Sequence, residues 1–330
     1  MIENNINYLK ERMKFSEEIF KKLQEEISKE INSKDFCIVS TGSFSRGEAS
    51  SESDLDYFVI IDEEKFPDNY FEKKGDGILS PLQSFSTPLN KIIKNLVPKD
   101  PGDTGTFGLE AIISIQELTS NLGGTKDNNK SFTRRMLFLL EGKYLFNETL
   151  FETFRKQLVE QYIKESVSDH HLSRFFLNDI IRFYRTMATD FEYKVFEDGK
   201  NWGVRNIKLA FSRKLLYFAG LIVIAETAQK TRVKKIEETL EFLRMTPIER
   251  IIYCAGRKSE QALHLYNYFL TEISKEEVRK KLDAATPENS KENEEFRNLK
   301  NESKHFSWAL SLLLKQTYDE RHPIHHALIF

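Results

Sequence analysis

Apolar residues recur at close to helical spacing between residues 5 and 32, and Lys and Glu fill most positions between them. The apolar positions are Ile6, Leu9, Met13, Ile19, Phe20, Leu23, Ile27 and Ile31. A stripe with this period is typical of an amphipathic helix that covers a core with one face. The pattern therefore predicts a helix over 5–32.

Two short apolar runs, FCIVS (36–40) and LDYFVII (55–61), follow this helix and are bounded by turn residues. Such runs are typical of buried strands. Proline and glycine break the pattern over 62–106, where one helix-like piece lies near 89–97, and FGLEAIIS (107–114) returns to strand character. The sequence therefore predicts a small sheet early in the chain.

Helical patterns run from TRRMLFLLEGKYLFNETLFETF (133–154) to the C-terminus. The most apolar stretch, LLYFAGLIVIA (215–225), is too short to cross a bilayer and predicts a buried helix. We therefore expect an α+β fold: a small mixed-sheet domain with an N-terminal helix over 1–150, then an all-helical domain over 151–330.

Charge and cysteine content narrow the class of protein. The 330 residues include 49 Lys and Arg against 51 Asp and Glu, a formal charge of −2, which argues against bulk nucleic-acid binding. The two cysteines, Cys37 and Cys254, lie far apart in apolar segments, which argues against a disulfide framework or a cysteine metal site. With no leader pattern or membrane span, we expect a cytoplasmic protein; a homo-oligomer is left open.

The candidate metal-binding and phosphate-binding residues lie in the segment TGSFSRGEASSESDLDYFVI (41–60). Residues two apart in a strand share a face, so Asp54 and Asp56 should project side by side. Two such carboxylates repel unless a cation lies between them, and oxygen ligands of this kind suit Mg²⁺, with Mn²⁺ as an alternative. Gly42 and Ser43 should expose backbone N–H groups that can hold a phosphate.

A third carboxylate on a neighbouring strand would allow two metal ions to hold the attacking and leaving oxygens of a phosphoryl displacement. Glu110, in the predicted strand 107–114, is the candidate. The residues thus indicate a two-metal site of Asp54, Asp56 and Glu110.

This pattern resembles the nucleotidyltransferase superfamily of DNA polymerase β type, in which an apolar residue, Gly and Gly or Ser precede Asp-x-Asp or Asp-x-Glu by about ten residues. Here Thr41, at the apolar position, departs from it. Within the superfamily the segment is most similar to the nucleotidyltransferase domain of bacterial PII-uridylyltransferases and their uncharacterised relatives. GLEAIISIQEL and FTRRMLFLLEGKYLFNE look like that family's third-carboxylate strand and following helix. The resemblance covers roughly residues 36–150 and implies that Glu110 is the third carboxylate.

Further residues could contact nucleotide phosphates. Ser45 and Arg46 either bind phosphate or cap and solvate a short helix. A basic group at the start of the most apolar helix either reaches a triphosphate across a cleft or forms a solvated face. It comprises Lys200, Arg205, Lys208, Arg213 and Lys214.

The resemblance implies a Mg²⁺-dependent enzyme that transfers a nucleoside monophosphate from an NTP, such as ATP, to a hydroxyl with release of pyrophosphate. The acceptor is a protein side chain, or a nucleotide as in bacterial antiviral nucleotidyltransferases. The helical domain is expected to cover the nucleotide cleft. A nucleotide-sensing regulator with a degenerate site is the alternative, and a nucleic-acid-binding module is disfavoured by the charge balance.

Overall fold

The computed structural model describes residues 6–65, 73–74, 77–78, 83–97, 99, 107–108, 111–120, 122–165, 169–197, 199 and 201–329. The chain divides into two compact units. Residues 12–161 form one, called the sheet unit below, and residues 1–11 with 162–330 form the other, called the helical unit.

The main sheet of the sheet unit is mixed. Its strands are β1 (Phe36–Thr41), β2 (Asp56–Ile61), β5 (Ile112–Ser114) and β6 (Lys143–Phe146), in the order β5-β2-β1-β6. Strand β1 is antiparallel to both β2 and β6, whereas β2 is parallel to β5. Two further strands, β3 (Lys73–Lys74) and β4 (Gly77–Ile78), pair with each other.

Helices of this unit cover the sheet. They are α1 (Asn7–Glu30), α2 (Gly42–Arg46), α3 (Gln83–Leu96), α4 (Ile115–Thr119), α5 (Asn129–Leu140) and α6 (Glu148–Tyr162), and the first turn of α1 is assigned to the helical unit.

Alternation along β1 and β2 distributes their side chains between two covered faces. Ile38 and Val59 are register partners and share a core with Leu23 of α1 and Leu89 of α3. Phe58 points to the opposite face, where the guanidinium of Arg134 from α5 lies 6.0 Å from its ring. Both faces are therefore buried, which explains why the two strands read as continuous apolar runs.

The helical unit contains only helices and connecting segments among its described residues. The helices are α7 (Arg174–Phe196), α8 (Trp202–Lys208), α9 (Lys214–Glu226), α10 (Arg232–Arg244), α11 (Pro247–Ala255), α12 (Glu260–Ser274), α13 (Glu276–Asp283), α14 (Glu294–Thr317) and α15 (Pro323–Ala327). A π-helical turn, Leu209–Arg213, joins α8 to α9. Helix α9 is buried along most of its length, as its unbroken apolar pattern predicts.

The α+β fold class is confirmed. The predicted helix over 5–32 and the strands over 36–40 and 55–61 correspond to α1, β1 and β2. The strand predicted over 107–114 is shorter, because β5 begins at Ile112 and only an isolated bridge lies at Phe107. Within the described part of the chain, no helix is both long and apolar enough to cross a bilayer.

Both cysteines are free thiols, and Cys37 is fully buried in β1. Burial raises the pKa of Cys37 well above its ordinary value, and burial followed by the charge of Glu226 raises the pKa of Cys254 to about 12. Because the thiolate is the reactive form, neither side chain should be a ready nucleophile near neutral pH.

We therefore predict that the Cys254→Ser variant resists a chromogenic thiol reagent at pH 8 until urea unfolds the sheet unit, since Cys37 is then the remaining thiol. Absorbance of the released chromophore gives the stoichiometry. The Cys37→Ser variant, with the half-buried Cys254 remaining, is the control and should react faster. Rapid reaction of native Cys254→Ser would contradict the buried position of Cys37.

Candidate active site

The turn from β1 into α2 brings Gly42 against Asp56. Gly42 adopts φ +75°, a left-handed conformation that side chains other than glycine rarely tolerate. A Cβ atom on Gly42 would lie 2.5 Å from Oδ2 of Asp56. Thr41 is the register partner of Asp56, so the sheet pairing itself places the turn beside this carboxylate.

Asp54 and Asp56 flank Leu55 at the start of β2. Leu55 is 2% exposed and belongs to the core beneath the sheet, whereas both aspartates are half-buried. This alternation is expected of extended chain, in which neighbours point to opposite faces. We therefore expect the two predicted metal ligands to share the face that is opposite to Leu55.

A buried ion network holds the turn from its other side. The N–H of Gly42 donates to Oε1 of Glu141 at 3.0 Å. Arg46 donates to Oε2 of Glu141 at 2.6 Å and to Oε2 of Glu48 at 2.9 Å. All three charged side chains are buried, so the guanidinium compensates carboxylates that would otherwise be costly to remove from water.

The other predicted phosphate ligands of α2 differ in exposure. Ser43 is half-buried, and its carbonyl accepts from the N–H of Glu48 at 2.8 Å. Ser45 is 1% exposed, and its hydroxyl donates to that of Ser40 at 2.9 Å. The positions of Ser45 and Arg46 favour structural roles, whereas Ser43 stays the better candidate for contact with a ligand.

Glu110, the predicted third carboxylate, lies outside the described residues. Its described neighbours run alongside β2: the N–H of Gly108 donates to the carbonyl of Tyr57 at 2.7 Å, and the carbonyl of Ala111 accepts from Val59 at 3.0 Å. The chain on both sides of position 110 is therefore paired with the strand that begins at Asp56.

The chemistry of the described donors fits a hard divalent cation. Asp54 and Asp56 offer carboxylate oxygens on one face, which are ligands that Mg²⁺ and Mn²⁺ accept. Among the residues that the structure describes, no group of three or more His, Cys, Asp or Glu side chains could hold a metal ion. Asp54 and Asp56 stay a predicted pair of metal ligands.

The predicted basic residues of the helical unit lie in different environments. Lys208 is exposed at the end of α8, and Arg213 is half-buried in the π-helical turn. Nζ of Lys214 donates to Oγ of Ser307 at 2.6 Å. Burial and the charge of Lys300 lower the pKa of Lys214.

The remaining two members of the predicted basic group are Lys200, which lies outside the described residues, and Arg205, which is half-buried within α8. Next to Arg205, Asn206 accepts from Nζ of Lys300 at 2.7 Å through its Oδ1 atom. This bond ties α8 to α14 within the helical unit.

The sequence pattern predicts no role for Glu141 or Glu48, although both lie in segments that resemble the superfamily. Glu141 is a lone carboxylate at the end of the apolar run MLFLL (136–140), and it is 3% exposed. An acidic residue within such a run signals a buried partner, because an unpaired buried charge is strongly destabilising. The pattern alone does not identify that partner, which comes from a segment 95 residues away.

Comparison with known proteins places the same segment in a family. Residues 20–114 match the family model of the nucleotidyltransferase domain. The match begins within α1, includes both aspartates and ends at the last residue of β5. A search of curated proteins found no match.

We predict that Gly42→Ala is strongly destabilising in the wild-type background and less so in an Asp56→Ala background. Backbone strain at positive φ should cost about 1–2 kcal/mol in either case. Contact of the new Cβ with the Asp56 carboxylate should add about 1 kcal/mol or more only where that carboxylate is present.

A double-mutant cycle on the free energy of unfolding, measured by urea denaturation, separates the two effects. An equal cost of Gly42→Ala in both backgrounds would show that the turn and the carboxylate do not touch.

A second prediction concerns Lys300, whose pKa is lowered by burial and then by the charge of Lys304. Below its folded-state pKa the charged lysine reduces stability, and this penalty disappears as the pH rises through that pKa towards the ordinary value of about 10.4. Lys300→Met removes both this penalty and the bond to Asn206, so its effect on stability should be more favourable at pH 7 than at pH 10.5.

Thermal melting between pH 7 and 10.5 measures this difference. The control is Lys280→Met, because hydrogen bonding to Glu276 and that residue's charge raise the pKa of the exposed Lys280. That variant should show a small difference of the opposite sign that stays nearly constant over this pH range, because the contribution of a lysine with a raised pKa is lost only above its ordinary pKa of about 10.4. An advantage of Lys300→Met that grows with pH would contradict the desolvation of this lysine.

Proposed function

We propose that the protein is a transferase that moves a nucleoside monophosphate from an NTP to a hydroxyl, because residues 20–114 match the family model of the nucleotidyltransferase domain. The observation that carries this proposal is the closeness of Gly42 to Asp56: a Cβ atom on Gly42 would lie 2.5 Å from Oδ2 of Asp56. It brings a turn suited to phosphate beside a carboxylate suited to a metal ion.

In this proposal Asp54 and Asp56 hold Mg²⁺, and the Gly42–Ser43 turn receives the β and γ phosphates. The absence of a side chain at Gly42 lets a phosphate approach the backbone closely. Glu110 is proposed as the third carboxylate, supported by the pairing of its neighbours Gly108 and Ala111 with β2. Bound Mg²⁺ would stabilise negative charge that develops on the phosphate oxygens.

The reaction is a displacement at the α phosphorus. The acceptor oxygen forms a bond to that phosphorus, the bond to the bridging oxygen of pyrophosphate breaks, and the hydroxyl proton passes to the carboxylate proposed at Glu110. The main contributions of the protein are to align the reactants and to hold charged groups where negative charge accumulates.

The acceptor hydroxyl belongs either to a protein side chain or to a nucleotide. The resemblance to PII-uridylyltransferases supports a protein acceptor, whereas a nucleotide acceptor would fit a role in signalling or antiviral defence. Incubation with each labelled NTP, alone and with candidate proteins, followed by electrophoresis and thin-layer chromatography separates labelled protein from labelled nucleotide product.

We also propose that basic residues of the helical unit, Lys208, Arg213 and Lys214, bind nucleotide phosphate. Support comes from Lys214, which is half-buried with a neutral hydroxyl, that of Ser307, as its hydrogen-bond partner. A cation in such a site would be stabilised by a phosphate. Lys214→Met should then weaken NTP binding more than nucleoside binding.

The central experiment uses the Asp54→Asn, Asp56→Asn double variant. Without metal it should melt at or slightly above the temperature of wild type, since two neighbouring carboxylates repel each other. Mg²⁺ with a non-hydrolysable NTP should raise the melting temperature of wild type but hardly that of the variant.

Pyrophosphate release should be present in wild type and absent in this double variant. If the variant melts well below metal-free wild type, the aspartates are structural hydrogen-bond acceptors. If it responds fully to Mg-NTP, the metal is bound elsewhere.

Glu110→Gln tests the third carboxylate. If Glu110 acts mainly in the transition state, the variant should bind Mg-NTP nearly as well as wild type while turnover falls by about a hundredfold or more. Glu117→Gln is a suitable control, because Glu117 accepts from Ser131 within the α4–α5 region and lies beyond the matched segment. Unchanged turnover in Glu110→Gln would assign the third carboxylate to another residue.

A further inference from the structure

Glu141 is the described residue that connects the end of α5 to the Gly42–Ser43 turn. One carboxylate oxygen accepts from the Gly42 N–H and the other accepts from Arg46, the last residue of α2. The carboxylate thus contacts both ends of this short helix. Glu141 also lies outside the matched segment 20–114, so the family match assigns it no role.

The two neighbours of Gly42 fix its position from different directions. Its N–H is held by Glu141 at 3.0 Å, and its α-carbon faces the carboxylate of Asp56 with no room for a methyl group. The Asp56 carboxylate leaves little space for a shift of the turn towards it, and a shift away from Glu141 breaks a buried hydrogen bond.

We propose that Glu141 is a positioning residue, which sets the distance between the phosphate-binding turn and the metal-binding Asp56. This inference rests on the proposed function of Gly42, Ser43 and Asp56. The inference also specifies which groups donate hydrogen bonds to the phosphate. Because the Gly42 N–H already donates to Glu141, the phosphate accepts from the N–H and hydroxyl of Ser43. Gly42 contributes only the space above its α-carbon.

Glu48 provides a matched control within the same network. Both glutamates bond to Arg46 and both are buried, at 7% exposure for Glu48 and 3% for Glu141. Of these two bonded carboxylates, Glu141 is the one that holds the Gly42 N–H. Removing either charge weakens the network. A difference in nucleotide affinity between the two variants therefore comes from the bond between Glu141 and Gly42.

The experiment compares Glu141→Gln with Glu48→Gln in the full chain. In Glu141→Gln the side-chain amide has one acceptor oxygen and cannot accept from both Gly42 and Arg46 through separate oxygens, because its other end is a donor. Both variants should melt below wild type. Titration calorimetry with Mg²⁺ and a non-hydrolysable NTP, at a temperature where all proteins are folded, should show affinity reduced about tenfold or more for Glu141→Gln and within about twofold for Glu48→Gln.

Equal losses of affinity in the two variants, or unchanged affinity in Glu141→Gln, would overturn the positioning role. If Glu141→Gln does not fold, Glu141→Asp replaces it, since aspartate keeps the charge for Arg46 on a shorter side chain, and the same outcomes apply. Wild type that neither binds Mg-NTP nor releases pyrophosphate would refute the proposed function itself. If wild type binds Mg-NTP and releases pyrophosphate but the two variants have equal affinities, the positioning role alone is refuted.

Discussion

The close approach of Gly42 to the Asp56 carboxylate is the constraint on which the site depends. A side chain at position 42 would collide with Oδ2 of Asp56, and the backbone there has a conformation that favours glycine. Antiparallel pairing of β1 with β2 produces this approach, because Thr41 and Asp56 are the last register partners of the ladder. The turn and the carboxylate therefore lie together as soon as the two strands pair in register.

The rest of the sheet unit maintains that register. Apolar side chains of α1 and α3 fill one face of the sheet, and a one-residue slip of β2 would turn its buried residues to the opposite face. On the other face, α5 leads into Glu141, whose carboxylate ties the turn to Arg46. Apolar packing on one face of the sheet and the buried ion network on the other thus both hold the turn at Gly42.

Much of this fold follows from the sequence pattern. Helix α1 and strands β1 and β2 are predictable because their apolar periodicity is strong and their boundaries carry turn residues. Asp54 and Asp56 are candidates because residues two apart in extended chain share a face and because their spacing from Gly42 and Ser43 resembles that of a known superfamily. The family match over 20–114 confirms the superfamily.

Other features depend on contacts between distant segments, which periodicity does not encode. The sequence predicts that Arg46 either binds phosphate or caps and solvates a short helix; Arg46 is 6% exposed, and its guanidinium donates to Glu48 and Glu141. Ser45 is buried as well, and its hydroxyl donates to that of Ser40. The short length of β5 is also not predictable from the apolar pattern. An apolar run shows where a strand can form but not where its pairing begins.

A crystal structure with Mg²⁺ and a non-hydrolysable NTP tests the central claim most directly. We expect a metal ion bound by the carboxylates of Asp54 and Asp56, the β and γ phosphates against Ser43, and the Gly42 N–H still donating to Glu141. A triphosphate bound away from the Gly42–Ser43 turn, or a metal ion held by carboxylates other than this pair, would contradict it.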